Sequence, residues 1–236
     1  MSQGLSYGPA AELYDRIRPT YPSASVEWAL GPARLRVVDL GAGTGILTRV
    51  LLALGHDVLP VEPDEAMRER LARSTPGTSA LAGTAEEIPV PDGSIDAVVA
   101  GQAYHWFDRE LAHRDVARVL KPGGVFAPIW NIRDESVPWV AQLSRIVEGD
   151  RGGDHKGWLD HEFGPDFGPV EREIFRHEVP MTAELLVQLI ASRSYYLTSP
   201  PDRRAAIEAQ VRELAADLPE TFPLPYLTVV YRSRRR

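Results

Sequence analysis

A doubly wound α/β fold, its sheet mostly parallel, is predicted by three observations. Apolar runs of strand length near 36–40, 57–61, 78–82, 95–101 and 124–130 alternate with helical stretches near 45–54, 64–74 and 108–119, the pattern of successive βα units. The first run leads into Asp39-Leu40-Gly41-Ala42-Gly43-Thr44-Gly45, a glycine-rich turn that opens a helix. The second run ends in an acid, Glu62.

Each element has its own signal. After the glycines, Leu47, Val50, Leu51 and Leu54 recur at i, i+3, i+4 and i+7, and Gly55 is placed to stop the helix. Asp108 is positioned to cap a helix that buries Ala112, Val116, Val119 and Leu120 on one stripe. Upstream, Ala10–Ile17 and Ser23–Leu30 read as short helices separated by Pro19 and Pro22, a lid over residues 1–33 of a single domain spanning 1–236. The core runs over 34–131. Beyond it, in the cap region 132–236, Val137–Glu148 reads as a helix and Gly149–Pro169 as a surface loop. Glu173–Met181 is a strand, Thr182–Leu197 and Asp202–Leu218 are helices, the first capped by Thr182, and Pro225–Arg232 is a closing strand. Pro60 and Pro128 fall inside strands expected to be interior, where a missing N–H costs a ladder bond. Each is expected at a strand end or bulge, or else the boundaries shift by a residue or two.

The glycine turn carries the chemistry. Gly41 permits a sharp turn, and Gly43 and Gly45 permit close approach of a ligand because no Cβ intervenes. A dinucleotide loop has the spacing G-x-G-x-x-G. Here the third glycine comes one residue early and Asp39 stands just ahead. A carboxylate there repels a pyrophosphate and suits an ammonium or sulfonium group. Glu62 is placed to accept hydrogen bonds from both hydroxyls of a ribose.

With these motifs the sequence resembles the class I methyltransferases that use S-adenosylmethionine. Gly83-Thr84-Ala85-Glu86-Glu87-Ile88-Pro89 looks like the segment that holds the adenine. Asp92-Gly93-Ser94-Ile95-Asp96 looks like the turn into the fourth strand, and Leu120-Lys121-Pro122-Gly123-Gly124 like the turn into the fifth. Asp15-Arg16-Ile17-Arg18-Pro19 and Ala103-Tyr104-His105-Trp106-Phe107-Asp108 are similar to the trans-aconitate methyltransferase type of small-molecule enzyme. The resemblance implies a Rossmann-like sheet of seven strands whose last member runs antiparallel between its neighbours, with a helical cap inserted before it. It also implies a cofactor site at Asp39, Gly41, Ala42, Gly43, Gly45, Glu62 and Pro63. The backbone of Ala85 would meet the adenine, with Thr84 or Glu86 taking the amine. Arg18 would pair with the cofactor carboxylate, and the Gln102 carbonyl would touch its methionine part.

Composition narrows the partners. No cysteine is present, which removes disulfides, thiolate nucleophiles and cysteine-ligated zinc and fits a reducing cytoplasm. No apolar stretch reaches membrane-span length and no secretory signal is visible. A net charge of -7 argues against general nucleic-acid affinity, and Arg232, Arg234, Arg235 and Arg236 read as a solvated end. No metal site is expected, His155 and His161 being too far apart in a glycine-rich loop. His105, beyond the fourth strand, is either a general base for an acceptor or a bystander beside a wall made by Trp106 and Phe107. The expected activity is methyl transfer to a small organic acceptor. The alternatives are a macromolecular methyltransferase, against which the absence of an Asn/Asp-Pro-Pro-Tyr motif counts, and a non-catalytic cofactor-binding protein.

Overall fold

The computed structural model describes residues 18–148 and 162–236. The expected helix at Ala10–Ile17, the remainder of the lid before Arg18, and most of the loop from Gly149, with His155 and His161, lie outside the described residues. Helix α1 (Ser23–Leu30) precedes β1 (Arg36–Leu40), α2 (Ile46–Ala53), β2 (Asp57–Val61), α3 (Glu65–Ser74) and β3 (Ile95–Gly101). Then come α4 (Arg109–Val119), β4 (Leu120–Arg133), α5 (Pro138–Glu148) and β5 (Glu171–Met181), followed by α6 (Ala183–Ala191), α7 (Ser194–Leu197), α8 (Pro201–Ala216) and β6 (Phe222–Arg234).

Strand alternation sorts the sheet residues onto two faces. Val38, Leu40, Val98, Ala100 and Phe126 pack beneath Ala112, Val116 and Ala117 of α4. Val37, Ala97, Val99, Ala127 and Ile129 pack beneath Val26 and Ala29 of α1 and Leu47 and Leu51 of α2. A third apolar cluster joins Val140 and Leu143 of α5 to Leu186 and Ile190 of α6, Ile207 and Val211 of α8, and Leu224 and Tyr226 of β6.

The sheet order is β2-β1-β3-β4-β6-β5, with β6 antiparallel to both of its neighbours as expected. The order reverses direction between β1 and β3, a switch point that opens a crevice at the carboxyl ends of both strands.

Among the described residues the sheet has six strands, one fewer than expected. The segment expected as a strand at 78–82 is reduced to a single parallel bridge between Leu81 and Val61. Pro60 supplies the reason. Asp57 donates to Leu35 and Val61 accepts from Gly41, so alternate residues of β2 face β1 and Pro60 faces the other way, where its carbonyl accepts from Leu81 at 2.8 Å. Proline has no N–H to make the next rung toward Ser79, and the ladder stops. Pro128 acts similarly. The β4–β6 ladder passes from Phe126–Ser233 to Ile129–Val230 with 127 and 128 unpaired. The Lys121-Pro122-Gly123-Gly124 turn is taken up inside β4 as an irregularity in its pairing with β3.

The basic end is solvated as expected at Arg234 and Arg236, yet its side chains also bond to the fold. Arg235 donates to the Leu120 carbonyl, Arg234 to Gly123 at 3.1 Å, Arg236 to Pro165 at 3.0 Å and Arg232 to the Trp28 carbonyl and Glu171. These arginines fasten the last strand to the carbonyls of neighbouring turns.

Candidate active site

The switch point and the elements above it enclose a cavity of about 370 Å³, within the roughly 300–1,000 Å³ range of small-molecule sites. Its floor is the turn after β1. Asp39 is buried, and its Oδ2 accepts from Thr48 Oγ1 of α2 at 2.6 Å. Its Oδ1 is buried without a hydrogen-bond partner. Burial, opposed in part by the Thr48 bond and reinforced by the charge of Glu62, pushes the Asp39 carboxyl up to about 7.

Glu62 is buried at the end of β2 and ties the floor together. Its Oε2 accepts from the Gly43 amide at 2.8 Å and its Oε1 from the Asp64 amide at 3.0 Å. Its pKa is raised, chiefly by burial, with those two amides opposing the shift.

The three glycines have different roles. Each has a positive φ, a conformation that disfavours side chains. A Cβ on Gly41 would stand 2.6 Å from Ala103 Cβ and one on Gly45 3.0 Å from Leu71 Cγ, so both make room for protein packing. A Cβ on Gly43 would meet nothing within 4 Å. Gly41, Ala42 and Gly43 line the cavity, whereas Gly45 does not and instead sits at the N-cap of α2.

Pro63, Thr84, Ala85, Glu86, Gln102 and Arg18 also line it. The Glu86 Oε1 accepts from the Asp108 amide at 2.9 Å, so part of this carboxylate steadies the start of α4. Among the described residues, Gln102 is the non-glycine residue with positive φ, at 56°, a strained conformation of the kind that collects at functional sites. Two bonds hold it: its amide donates to Ile129 at 2.9 Å and its Nε2 to the Asn131 carbonyl at 2.6 Å.

His105 is not brought to the cavity. It occupies the 3₁₀ turn Tyr104–Trp106, where residues three apart eclipse. Ala103 and Trp106 therefore share the inward side, while His105 packs on Trp106 with ring centroids 4.6 Å apart.

Sequence reading missed Tyr21, Asn131, Met67 and Arg193, all of which line the cavity. Asn131 had a weak signal, as a polar residue in a run of buried strand. Arg193 had none. Its place is created by a break in the expected helix 182–197 at Ser192, whose Oγ donates back to Leu189 at 2.7 Å. No group of three or more His, Asp or Glu side chains suited to a metal occurs among the described residues.

Comparison with known proteins agrees with this arrangement. A family model described as a methyltransferase domain matches residues 38–127. An uncharacterized methyltransferase of Mycobacterium tuberculosis is 43% identical over 235 residues, covering 97% of this chain and 95% of the relative. The chain belongs to the class I, S-adenosylmethionine-dependent methyltransferases. The malonyl-[acyl-carrier protein] O-methyltransferase of Methylococcus capsulatus is 33% identical over 135 residues, covering 52% of this chain and 49% of that enzyme. A solved structure from Anaeromyxobacter dehalogenans, provisionally assigned as a type II methyltransferase, superposes on the methyltransferase with a TM-score of 0.69. It is 25% identical and covers 92% of this chain and 97% of that one. No described helix of the methyltransferase is long and apolar enough to cross a membrane.

Proposed function

We propose that the methyltransferase methylates a small organic acceptor inside the cavity between the glycine turn, the lid and the cap, in the cytoplasm. The observation that carries this reading is the polarity of that one cavity. Its lining combines Asp39 and Glu62 with Arg18, Gln102, Asn131 and Arg193.

The residues present fit S-adenosylmethionine. Asp39 Oδ1, buried with no partner, offers an acceptor to a cationic group. Each Glu62 oxygen retains a lone pair after binding its backbone amide, enough for two ribose hydroxyls. Gly43 presents bare backbone to open space. The Ala85 amide and the Thr84 and Glu86 side chains border the adenine region, beside Pro63 and Met67. Gln102 is assigned to the methionine part through its carbonyl, and Arg18 to the carboxylate.

When bound, the cofactor supplies a methyl carbon already activated by its sulfonium. The protein's own task is alignment and exclusion of water, and positioning of that kind lowers a barrier by roughly 7–11 kcal/mol. Ala103, Trp106 and Phe107 supply an apolar wall. His105, outside that wall, is assigned no proton transfer. The relative named for a malonyl acceptor supports a small organic acceptor.

Calorimetric titration with S-adenosylhomocysteine and with NAD tests the cofactor site: the first binds and the second does not. Methyl transfer to pooled small acids, phenols and amines, read by product mass, tests the acceptor class. Methylation confined to protein or nucleic acid would replace this reading with the macromolecular one, and cofactor binding without turnover on any acceptor would favour a non-catalytic role.

A further inference from the structure

The cavity is lined by charges of both signs from different parts of the chain, and one cation is to spare. Asp39, Glu62 and Glu86 come from the strand ends and the segment before β3; Arg18 and Arg193 come from the lid and the cap. Arg18 Nη2 donates to the Ser192 carbonyl at 3.2 Å, so the lid arginine is held against the residue that immediately precedes Arg193. Arg193 Nε is buried without a hydrogen-bond partner. A buried guanidinium donor left unpaired is costly. Among the described residues, no acidic side chain of the cap lines the cavity to neutralise it.

The cofactor has one carboxylate, and Arg18 is assigned to it. We infer that Arg193 is an anchor for the acceptor, which carries an oxyanion, either a carboxylate or a phosphate, that this guanidinium receives. A guanidinium suits both groups because its planar fork matches two oxygens at once.

The placement of Arg193 agrees with this role. It stands at the break between α6 and α7, outside the cofactor turn. Cofactor loop and acceptor anchor thus come from different parts of the chain. The polar wall beside it is braced by the sheet: Asn131 Nδ2 donates to the lid carbonyl of Thr20 at 3.1 Å, and Asn131 Oδ1 accepts from Thr228 at 2.6 Å.

This inference rests on the cofactor reading, so the two are measured separately. The parent, Arg193→Ala and Arg193→Lys are first titrated with S-adenosylhomocysteine. All three should bind it within a few-fold of one another, which also shows that the variants are folded. The loaded proteins are then titrated with succinate and tricarballylate in one arm, inorganic phosphate and glycerol phosphate in another, and succinamide and glycerol as neutral counterparts. At least one anion class should bind the parent at millimolar concentrations, with the affinity falling about 10–100-fold in Arg193→Ala and partly restored in Arg193→Lys. The arm that responds identifies the oxyanion. Equal binding of neutral and anionic probes, or no anion binding to the loaded parent, overturns the inference. So does a loss confined to S-adenosylhomocysteine, which would make Arg193 a ligand of the cofactor's carboxylate. If S-adenosylhomocysteine fails to bind even the parent, the cofactor reading falls, and the anion arms on the unloaded proteins still decide whether Arg193 is an anion site.

Discussion

Asp39 shows how one buried group sets a pH response. A carboxyl whose pKa is higher in the fold than in the unfolded chain keeps its proton after the unfolded chain has lost it. Between about pH 4 and about 7, the native state therefore binds more protons, and stability falls as pH rises. Asp39→Asn abolishes that contribution, so the ligand-free variant should gain stability over the parent between pH 5 and pH 8, as measured by urea unfolding at both values. An unchanged difference would place the titration elsewhere. Because a cationic group favours the ionised form of Asp39, parent affinity for S-adenosylhomocysteine should rise over the same interval. Glu62→Ala removes two acceptors for ribose and also frees the Gly43 and Asp64 amides. It should weaken S-adenosylhomocysteine binding by roughly 2–4 kcal/mol at charge-assisted strength, and calorimetry reads the loss. Gly43→Val places a branched side chain at φ +56° facing the cavity. It should abolish binding while the far-ultraviolet circular dichroism of the parent persists.

Among elements, the end of β3 joins the two halves of the site. Gln102 adopts its strained backbone because Ile129 and Asn131 of β4 hold it on both sides, and Asn131 reaches from there to Pro19 and Thr20 of the lid. Asn131→Leu keeps similar volume and removes those lid bonds. It leaves the Thr228 hydroxyl only the longer contact to His177 Nδ1 at 3.3 Å, at a cost of about 1 kcal/mol. Thermal melting should fall, and hydrogen exchange should quicken across residues 18–22 more than in α4. Uniform quickening would show that Asn131 supports only the sheet. The last strand is fastened by its arginines, and neutralising Arg234, Arg235 and Arg236 together should lower the melting temperature without altering retention on heparin.

At the scale of the molecule, function depends on joining segments far apart in sequence. The acidic residues come from the first two βα units, the apolar wall from the turn after β3, and the basic residues from the lid and the break between α6 and α7. The mixed polarity of the cavity exists only where these segments meet.

That Asp39, Gly41, Gly43 and Glu62 would line one cavity was legible in the sequence because the pattern that brings them together is local. Asp39, the glycines and Glu62 sit at strand ends at fixed spacing, and backbone sterics at Gly41, Gly43 and Gly45 act over a few residues. The doubly wound sheet and the antiparallel β6 followed from the same motifs through the resemblance they carry. Tertiary structure decided the rest. Proline at position 60 ended a ladder that apolar patterning alone would extend, because hydrogen-bond direction depends on which neighbour a strand faces. Turn geometry put Trp106 rather than His105 on the cavity lining, and the C-terminal arginines found carbonyls that a linear reading does not assign. Arg193 entered the cavity only because a helix broke at Ser192 and the cap folded over the switch point; a side chain's role there depends on what burial brings beside it, and the sequence near residue 193 carries no trace of it.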